Sequence, residues 1–388
     1  NDPGAPELRD RLYLNNGSGD FTEAPENALP DIRSVASCVC PADIDGDGDL
    51  DLFVGARVLP GEYPLPASSQ LLINETPKGG AGRFVEKTGV FEKVGLVTDA
   101  LWADLNGDGR PDLALALEWG PIRIFHNNEA GFVEATSQSG LAEHLGWWTR
   151  LAAADLDKDG DLDLVAGNFG RNTKYHADPK HPALLYYGDL TGDGVRHIIE
   201  AEFEREVLFP VRGKSCSTAA MPALGPKFAT FHAFAESTLQ QIYPPERLQK
   251  AEKFTCNTLE SGVFLKDGGG KFIFSILPRV AQIAPVQGIV TADLNGDSHS
   301  DLVLSQNFYN PQFETGPYAG GVGAVLLGDG KGSFAEMKSL ESGVMLRGDP
   351  RGLDLRDLDG DGVPDLICPL NNGPLVWQRG LPQHFPKE

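Results

Sequence analysis

The sequence predicts an all-β fold: a β-propeller of four-stranded blades, interrupted by one small helical insertion. Three observations predict it. A nine-residue aspartate-rich pattern recurs six times along the 388 residues. Each copy sits between apolar strands and leads towards a hairpin with a glycine-rich turn. The composition, with 46 Gly and 28 Pro, favours frequent turns over long helices. Four-stranded units repeated every roughly 50 to 60 residues are propeller blades.

The loops begin at Asp43, Asp104, Asp155, Asp189, Asp293 and Asp357 and follow D-x-[DN]-x-D-G-x-x-D. Together they hold 22 of the 55 Asp and Glu, so these acids are concentrated where a hard cation would be wrapped by oxygens. The expected ligands are the side chains at positions 1, 3, 5 and 9 and the carbonyl at position 7. These are Asp43, Asp45, Asp47, Asp49 and Asp51 in the first loop, and Asp104, Asn106, Asp108, Arg110 and Asp112 in the second. The third loop supplies Asp155, Asp157, Asp159, Asp161 and Asp163; the fifth, Asp293, Asn295, Asp297, His299 and Asp301; the sixth, Asp357, Asp359, Asp361, Val363 and Asp365. Glycine at position 6 permits the sharp turn in four of these five.

Position 12 separates these loops from EF-hands, which need a Glu there and a following helix. It is Val54, Leu115, Ala166, Leu304 or Cys368 in those five, each inside a β-type run. The fourth loop departs from the pattern. It offers Asp189, Thr191, Asp193 and Val195, but has His197 at position 9 and Glu200 at position 12. The expected cofactor is therefore Ca²⁺, five or six ions, with the fourth loop binding weakly, binding differently or empty. Ordinary Asp-Gly turns are the competing explanation of any one loop, but not of carboxylates at fixed offsets in five.

The hairpins read LYLNNGSGDFTEA, LLINETPKGGAGRFVEK, IFHNNEAGFVEA, VFLKDGGGKFIFS and VLLGDGKGSFAEM. Loop and hairpin together resemble the FG-GAP or VCBS repeat of integrin-α-like propellers. The runs GNFGRNTKYHADPKHPALLYYGDLTGDG and NTLESGVFLKDGGGKF resemble bacterial relatives of the cartilage acidic protein group. The resemblance implies calcium-stabilised propellers on secreted or surface proteins, used for adhesion or ligand binding.

The chain reads as a single propeller domain, 1–388, with a helical insertion at 221–254. The loops start 61, 51, 34, 104 and 64 residues apart, which six blades and the insertion account for, seven blades being the alternative. The N-terminal hairpin, Leu12 to Phe21, is expected to close the ring against the strand near Val376. In the insertion Phe228, Phe231, Ala235, Leu239 and Ile242 fall on one helical face, and Pro244-Pro245 breaks the helix before a second one through Leu248. Cys38 and Cys40 share one face of a predicted strand. Cys216 and Cys256 bracket an irregular segment and can close it as a disulfide in an oxidising compartment.

A net charge of −22 excludes a nucleic-acid partner, which would need clustered Lys and Arg. No apolar run of 18 residues marks a transmembrane segment. The Asn-Asp-Pro-Gly start reads as that of a mature piece or of one excised from a longer chain. The expected location is extracellular, cell-surface or periplasmic. The expected function is a recognition, adhesion or scaffolding module for a protein or glycan ligand. The alternative is a polysaccharide lyase or hydrolase, for which Arg171 near His176 is the one weak catalytic candidate. Arg347-Gly348-Asp349 spells an adhesion tripeptide that chance also produces.

Because the aspartate loops join first to second strands, calcium is expected to ring one face of the disc. The segments after each second strand then crowd the other. These are Gly55 to Arg57, Glu118 to Gly120, Gly167 to Asn172, Gln306 to Asn310 and Leu370 to Asn372. Trp119, Arg171, Asn172, Tyr309 and Asn310 are the expected ligand contacts there, since aromatic and amide groups exceed what turns require. Trp102, Trp147 and Trp148 are expected in the core between blades, with sugar stacking as the minority role.

Overall fold

The computed structural model describes residues 4–87, 89–312, 315–371 and 373–379. Asn372 lies outside them. Five antiparallel sheets follow one another, each opened by one aspartate loop between its first two strands. Blade I comprises Val35–Ala42, Asp51–Val58, Gln70–Asn74 and Phe84–Glu86. Blade II comprises Leu96–Ala103, Asp112–Gly120, Arg123–Asn128 and Gly131–Glu134, with Gly146–Trp147 added on its second strand. Blade III pairs Arg150–Ala154 and Asp163–Gly167 with Gly262–Lys266 and Phe272–Ile276. Blade IV runs Val286–Ala292, Asp301–Gln306, Ala324–Gly328 and Phe334–Met337, and blade V runs Asp354–Arg356, Asp365–Pro369 and Leu375–Gln378. The first strands of blades I to V pack side by side in that order.

Stacking of sheet on sheet explains the composition of the second strands. Asp112–Gly120 and Asp163–Gly167 are buried almost throughout, because a neighbouring blade covers each face. Phe53, Phe91 and Phe125 fill the space between blades I and II, and Ile124, Trp148 and Phe264 that between II and III. Cys38 and Cys40 share the first of these cores, on one face of their strand as expected. Trp102 lies there too, its indole N–H donating to the Cys40 carbonyl.

The Asp189 loop lies elsewhere. It belongs to a sixth sheet, ordered Val207–Pro210, His197–Glu204, Ala183–Gly188, Glu252–Cys256, inserted whole between the second and third strands of blade III. The excursion therefore spans 168–261 rather than 221–254, and the Asp189 sheet is not the next blade in the series. Its returning strand pairs beside the first strand instead of the third, unlike a blade.

Five short helices connect the last two strands of this sheet in sequence: Lys214–Ala220, Leu224–Lys227, Phe231–Ala235, Leu239–Ile242 and Pro245–Lys250. The single amphipathic face is broken, since Phe231 is 67% exposed while Phe228, Leu239 and Ile242 are buried. The cause is local capping. Thr230 accepts the Ala233 N–H and Thr238 forms a capping box with Gln241, so the helix restarts twice and loses its phase. Pro244 and Pro245 do separate the last helix, as expected.

The N-terminal hairpin, Tyr13–Asn15 with Phe21–Glu23, pairs with itself. The segment after it anchors to blade I, where the Phe84 N–H donates to the Ala28 carbonyl. No strand pairing joins it to Leu375–Gln378 among the described residues. No disulfide joins Cys216 to Cys256. Among the described residues no helix is long and apolar enough to cross a membrane.

Candidate functional site

Two assemblies stand out, one at each end of the blades. At the first-to-second strand turns, the aspartate at position 1 is fixed by the loop's own backbone. Asp43 accepts the Gly46 N–H at 2.8 Å on one oxygen and the Gly48 N–H at 3.1 Å on the other, and Asp104, Asp155, Asp293 and Asp357 repeat this. Glycines 46, 48, 107, 109, 360 and 362 take positive φ to allow it. In the Asp43, Asp155 and Asp357 loops, the carboxylates at positions 1, 3 and 5 converge within 4.8 Å of one another. In the Asp104 and Asp293 loops Asn106 and Asn295 stand at position 3, their amides donating to Asp108 and Asp297.

The ninth residue behaves differently. Asp51, Asp112, Asp163, Asp301 and Asp365 are 0–2% exposed. Each accepts the N–H of loop position 2, and the first four also accept an N–H at the third strand: Asn74, Asn127, Lys266 and Gly328 respectively. These carboxylates clip each loop to its sheet. Burial pushes the Asp163 carboxyl up to about 6. Burial and the like charges of Asp47, Asp51, Asp45 and Asp43 also push Asp49 upward, and its buried Oδ1 has no hydrogen-bond partner. Crowded carboxylates with an orphaned oxygen fit a divalent cation of the Ca²⁺ type.

The Asp189 loop is built around a side chain. Arg247, from Pro245–Lys250, places Nη1 3.1 Å from Asp189 Oδ2 and 3.2 Å from its carbonyl oxygen. A guanidinium thus lies against the position 1 carboxylate. Thr191 Oγ1 and His197 Nε2 are buried and make no hydrogen bond, His197 Nε2 lying 3.7 Å from Asp193 Oδ2.

The second assembly is a cavity of about 630 Å³ at the opposite end of the strands. Ser37, Thr98, Arg150, Gln287 and Arg351 reach it from the beginnings of the five first strands or just before them, and Arg57, Glu118 and Trp119 from the ends of second strands. The insertion contributes Phe169, Tyr175, Glu200 and Arg212. Two similar groups face this space. Glu118 pairs with Arg57 and accepts the Tyr63 hydroxyl at 2.8 Å. Glu200 pairs with Arg212 and accepts the Tyr175 hydroxyl, both at 2.9 Å. Burial pushes the Tyr63 phenol up to about 12, and the nearby Glu200 charge adds to it. Burial and Glu200 raise Tyr175 as well. Trp147 anchors the aromatic wall, edge-on to Trp119, Phe169 and Tyr175 at 4.8, 5.0 and 4.8 Å.

Of the expected contacts, the cavity brings together Trp119 and Asn310. Arg171, Asn172 and Tyr309 are not in its lining. Arg171 is largely exposed and pairs with Glu260 at 3.5 Å, and no hydrogen bond or ion pair joins it to His176 among the described residues. Asn172 donates to the Ile283 carbonyl, and Tyr309 is half-exposed. Neighbouring asparagines serve the turns: Asn168 and Asn307 are buried and bonded to flanking backbone on both amide atoms. Trp147 and Trp148 are both buried in core as expected, and both also line the cavity. Asp349 of the Arg-Gly-Asp tripeptide is buried against Arg351 and Asn371, so the tripeptide is not displayed.

Sequence reasoning missed Tyr63, Tyr175 and Arg212. Glu200 carried a signal, as the odd acid at position 12 of the deviant loop, but its place in the cavity depends on the inserted sheet.

An all-β repeat protein with loop-bearing and cavity-bearing ends is thereby defined. Residues 4–54 and 104–166 match the model of the FG-GAP-like repeat, so the chain carries FG-GAP-like repeats. No curated protein matches its sequence. Among solved structures it is similar to an Agrocybe aegerita lectin that recognises non-reducing terminal N-acetylglucosamine, at 18% identity over 96% of this chain and 89% of that one, TM-score 0.33. It is also similar to the V. cholerae biofilm matrix protein Bap1, at 11% identity over 95% and 80% of the chains, TM-score 0.31. Likenesses this loose carry no argument about what the chain binds.

Proposed function

We propose that this chain is a calcium-stabilised recognition module of the cell exterior, holding its ligand in the cavity remote from the aspartate loops. The cavity carries the reading. It gathers groups from all five blades and the insertion, and it combines an aromatic wall with charged and amide side chains in a volume typical of ligand sites. Calcium would be held by positions 1, 3, 5 and 9 and the position 7 carbonyl of the Asp43, Asp104, Asp155, Asp293 and Asp357 loops. It would neutralise their carboxylates and hold the first two strands of each blade in register. In the Asp189 loop Arg247 supplies the positive charge. Loops of this open, surface type bind calcium at about 10⁻⁴ to 10⁻³ M, which requires the calcium levels found outside the cytosol.

A lyase or hydrolase would need a general base here. The raised phenols of Tyr63 and Tyr175 instead act as donors to glutamates, which supports binding over catalysis. Glycan and protein arrays probed with the whole chain in calcium test the reading. Arg57→Met and Asn310→Ala should each abolish the strongest signals, while Tyr309→Ala, outside the cavity, should keep them. Signals unaffected by both cavity substitutions would refute it.

A further inference from the structure

The cations lining the cavity are all arginine: Arg57, Arg150, Arg212 and Arg351. They are not equivalent. Arg150 spends its guanidinium on the Gln287 carbonyl, Asp99 and the Arg351 carbonyl, and braces three blades. Arg351 pairs with Asp349 and lies over the Phe308 ring at 5.3 Å. Arg57 and Arg212 each pair with one glutamate and keep a buried Nη1 with no hydrogen-bond partner. A guanidinium carries five N–H donors in a fixed plane, and a buried donor left without an acceptor is destabilising. These two groups therefore hold unspent donors beside a space large enough for a ligand.

An acceptor that fits such a fork is planar and anionic, and a carboxylate takes two parallel N–H bonds at once. The remaining lining suits a saccharide body: the Trp147, Trp119 and Tyr175 wall offers apolar contact to C–H faces, and the Gln287 and Asn310 amides offer partners for hydroxyls. We propose that the cavity binds a uronic-acid saccharide, its carboxylate met by Arg57 or Arg212 and its ring against the tryptophan wall. This rests on the recognition reading and specifies its ligand.

The test is calorimetry on the whole chain in calcium buffer. Probes are trisaccharides of galacturonate, glucuronate and mannuronate, each beside its neutral hexose counterpart. At least one acid should bind tenfold or more tighter than its counterpart, and that preference should weaken as salt is raised. Arg57→Met or Arg212→Met should erase the preference. Arg57→Lys and Arg212→Lys, which keep the charge and guard against a folding defect, should each leave less than a third of it at whichever site holds the carboxylate. If no acid outbinds its counterpart, the proposal is overturned; neutral sugars bound in the cavity would then leave the recognition reading standing. Undiminished preference in both lysine variants would equally overturn the fork.

Discussion

Asp45 and Asp112 allow the loop's two jobs to be separated. Asp45 is exposed, and its carboxylate accepts only the Asp47 N–H at 3.3 Å. Asp112 is fully buried and accepts the Leu105 N–H at 3.1 Å and the Asn127 N–H at 2.8 Å, with His126 Nδ1 at 3.0 Å. Asp112→Ala strands two buried N–H groups at about 1–3 kcal/mol each, so about 4 kcal/mol is expected even without metal, and the loss of a calcium ligand adds to it in calcium. Unfolding entropy of about 2.1 cal/mol/K per residue over 388 residues converts this to a fall in Tm of about 5 °C, if the chain unfolds as one unit. Asp45→Ala should lower Tm only in calcium. The assay is differential scanning calorimetry of wild type and both variants, in 2 mM calcium and in chelator. If Asp112→Ala is silent in chelator, the ninth aspartate is not a clip. If Asp45→Ala costs as much in chelator as in calcium, the loops are turns that need no metal.

Chelation of the wild type should lower Tm steeply. Each site at tenfold its dissociation constant contributes about 1.4 kcal/mol, and five ions would bring the formal charge from −22 to −12; fewer than three ions by metal analysis of protein equilibrated in 2 mM calcium would refute the count. Arg247→Met should unfold the Asp189 loop region first, seen as faster amide exchange at 189–197, because the Asp189 carboxylate loses its cation; unchanged exchange would show that the guanidinium is incidental. Burial pushes the Glu202 carboxyl from 4.5 up to about 7, so the folded state prefers its neutral form. The stability this confers is full below about pH 4.5 and is lost as pH rises through 7. After discounting for partial exposure it amounts to on the order of 1–2 kcal/mol, and Glu202→Gln should flatten urea midpoints between about pH 4.5 and 7.

The repeating part of the fold was legible because its cause is local. A loop such as DIDGDGDLD fixes a turn through bonds no longer than five residues, from Gly46 and Gly48 to Asp43, and the apolar runs beside it have a strand's length. What was not legible depends on contacts far apart in sequence. The Asp189 loop looks like the next blade, yet Gly262–Lys266 pairs with Asp163–Gly167 across it. Nothing in the spacing distinguishes a skipped pairing from a consecutive one. Arg247 is similarly silent: its role exists only because a helix 58 residues on returns to Asp189. The ninth aspartate's clipping role was hidden in a subtler way, since ligand chemistry and backbone clipping both demand a carboxylate at that offset.

The position of the insertion bears on why the cavity is where it is. A connection from second to third strand leaves a blade at the end remote from the aspartate loops, so whatever is inserted there rises over that end. Replacing a short turn of blade III by 168–261 places Tyr175, Glu200 and Arg212 beside groups contributed by blades I and II. The junction is tied down rather than loose. Asn168 is wholly buried and bonds the Thr258 and Glu260 carbonyls, so the two ends of the excursion are clasped together at its root. Cys256 and Leu259 then pack with Trp119 and Trp147 of blade II. A rigidly rooted insertion presents a preformed wall, and ordering costs at binding fall accordingly. Asn168→Ala removes that clasp, and with it the side-chain acceptor of the Trp147 and Phe169 N–H groups, at a residue that does not itself line the cavity. It should weaken the ligand found by the arrays at least tenfold, with the Trp147 environment altered in near-ultraviolet circular dichroism. Unchanged affinity in a variant whose Trp147 signal has moved would show that the site does not depend on how the insertion is held.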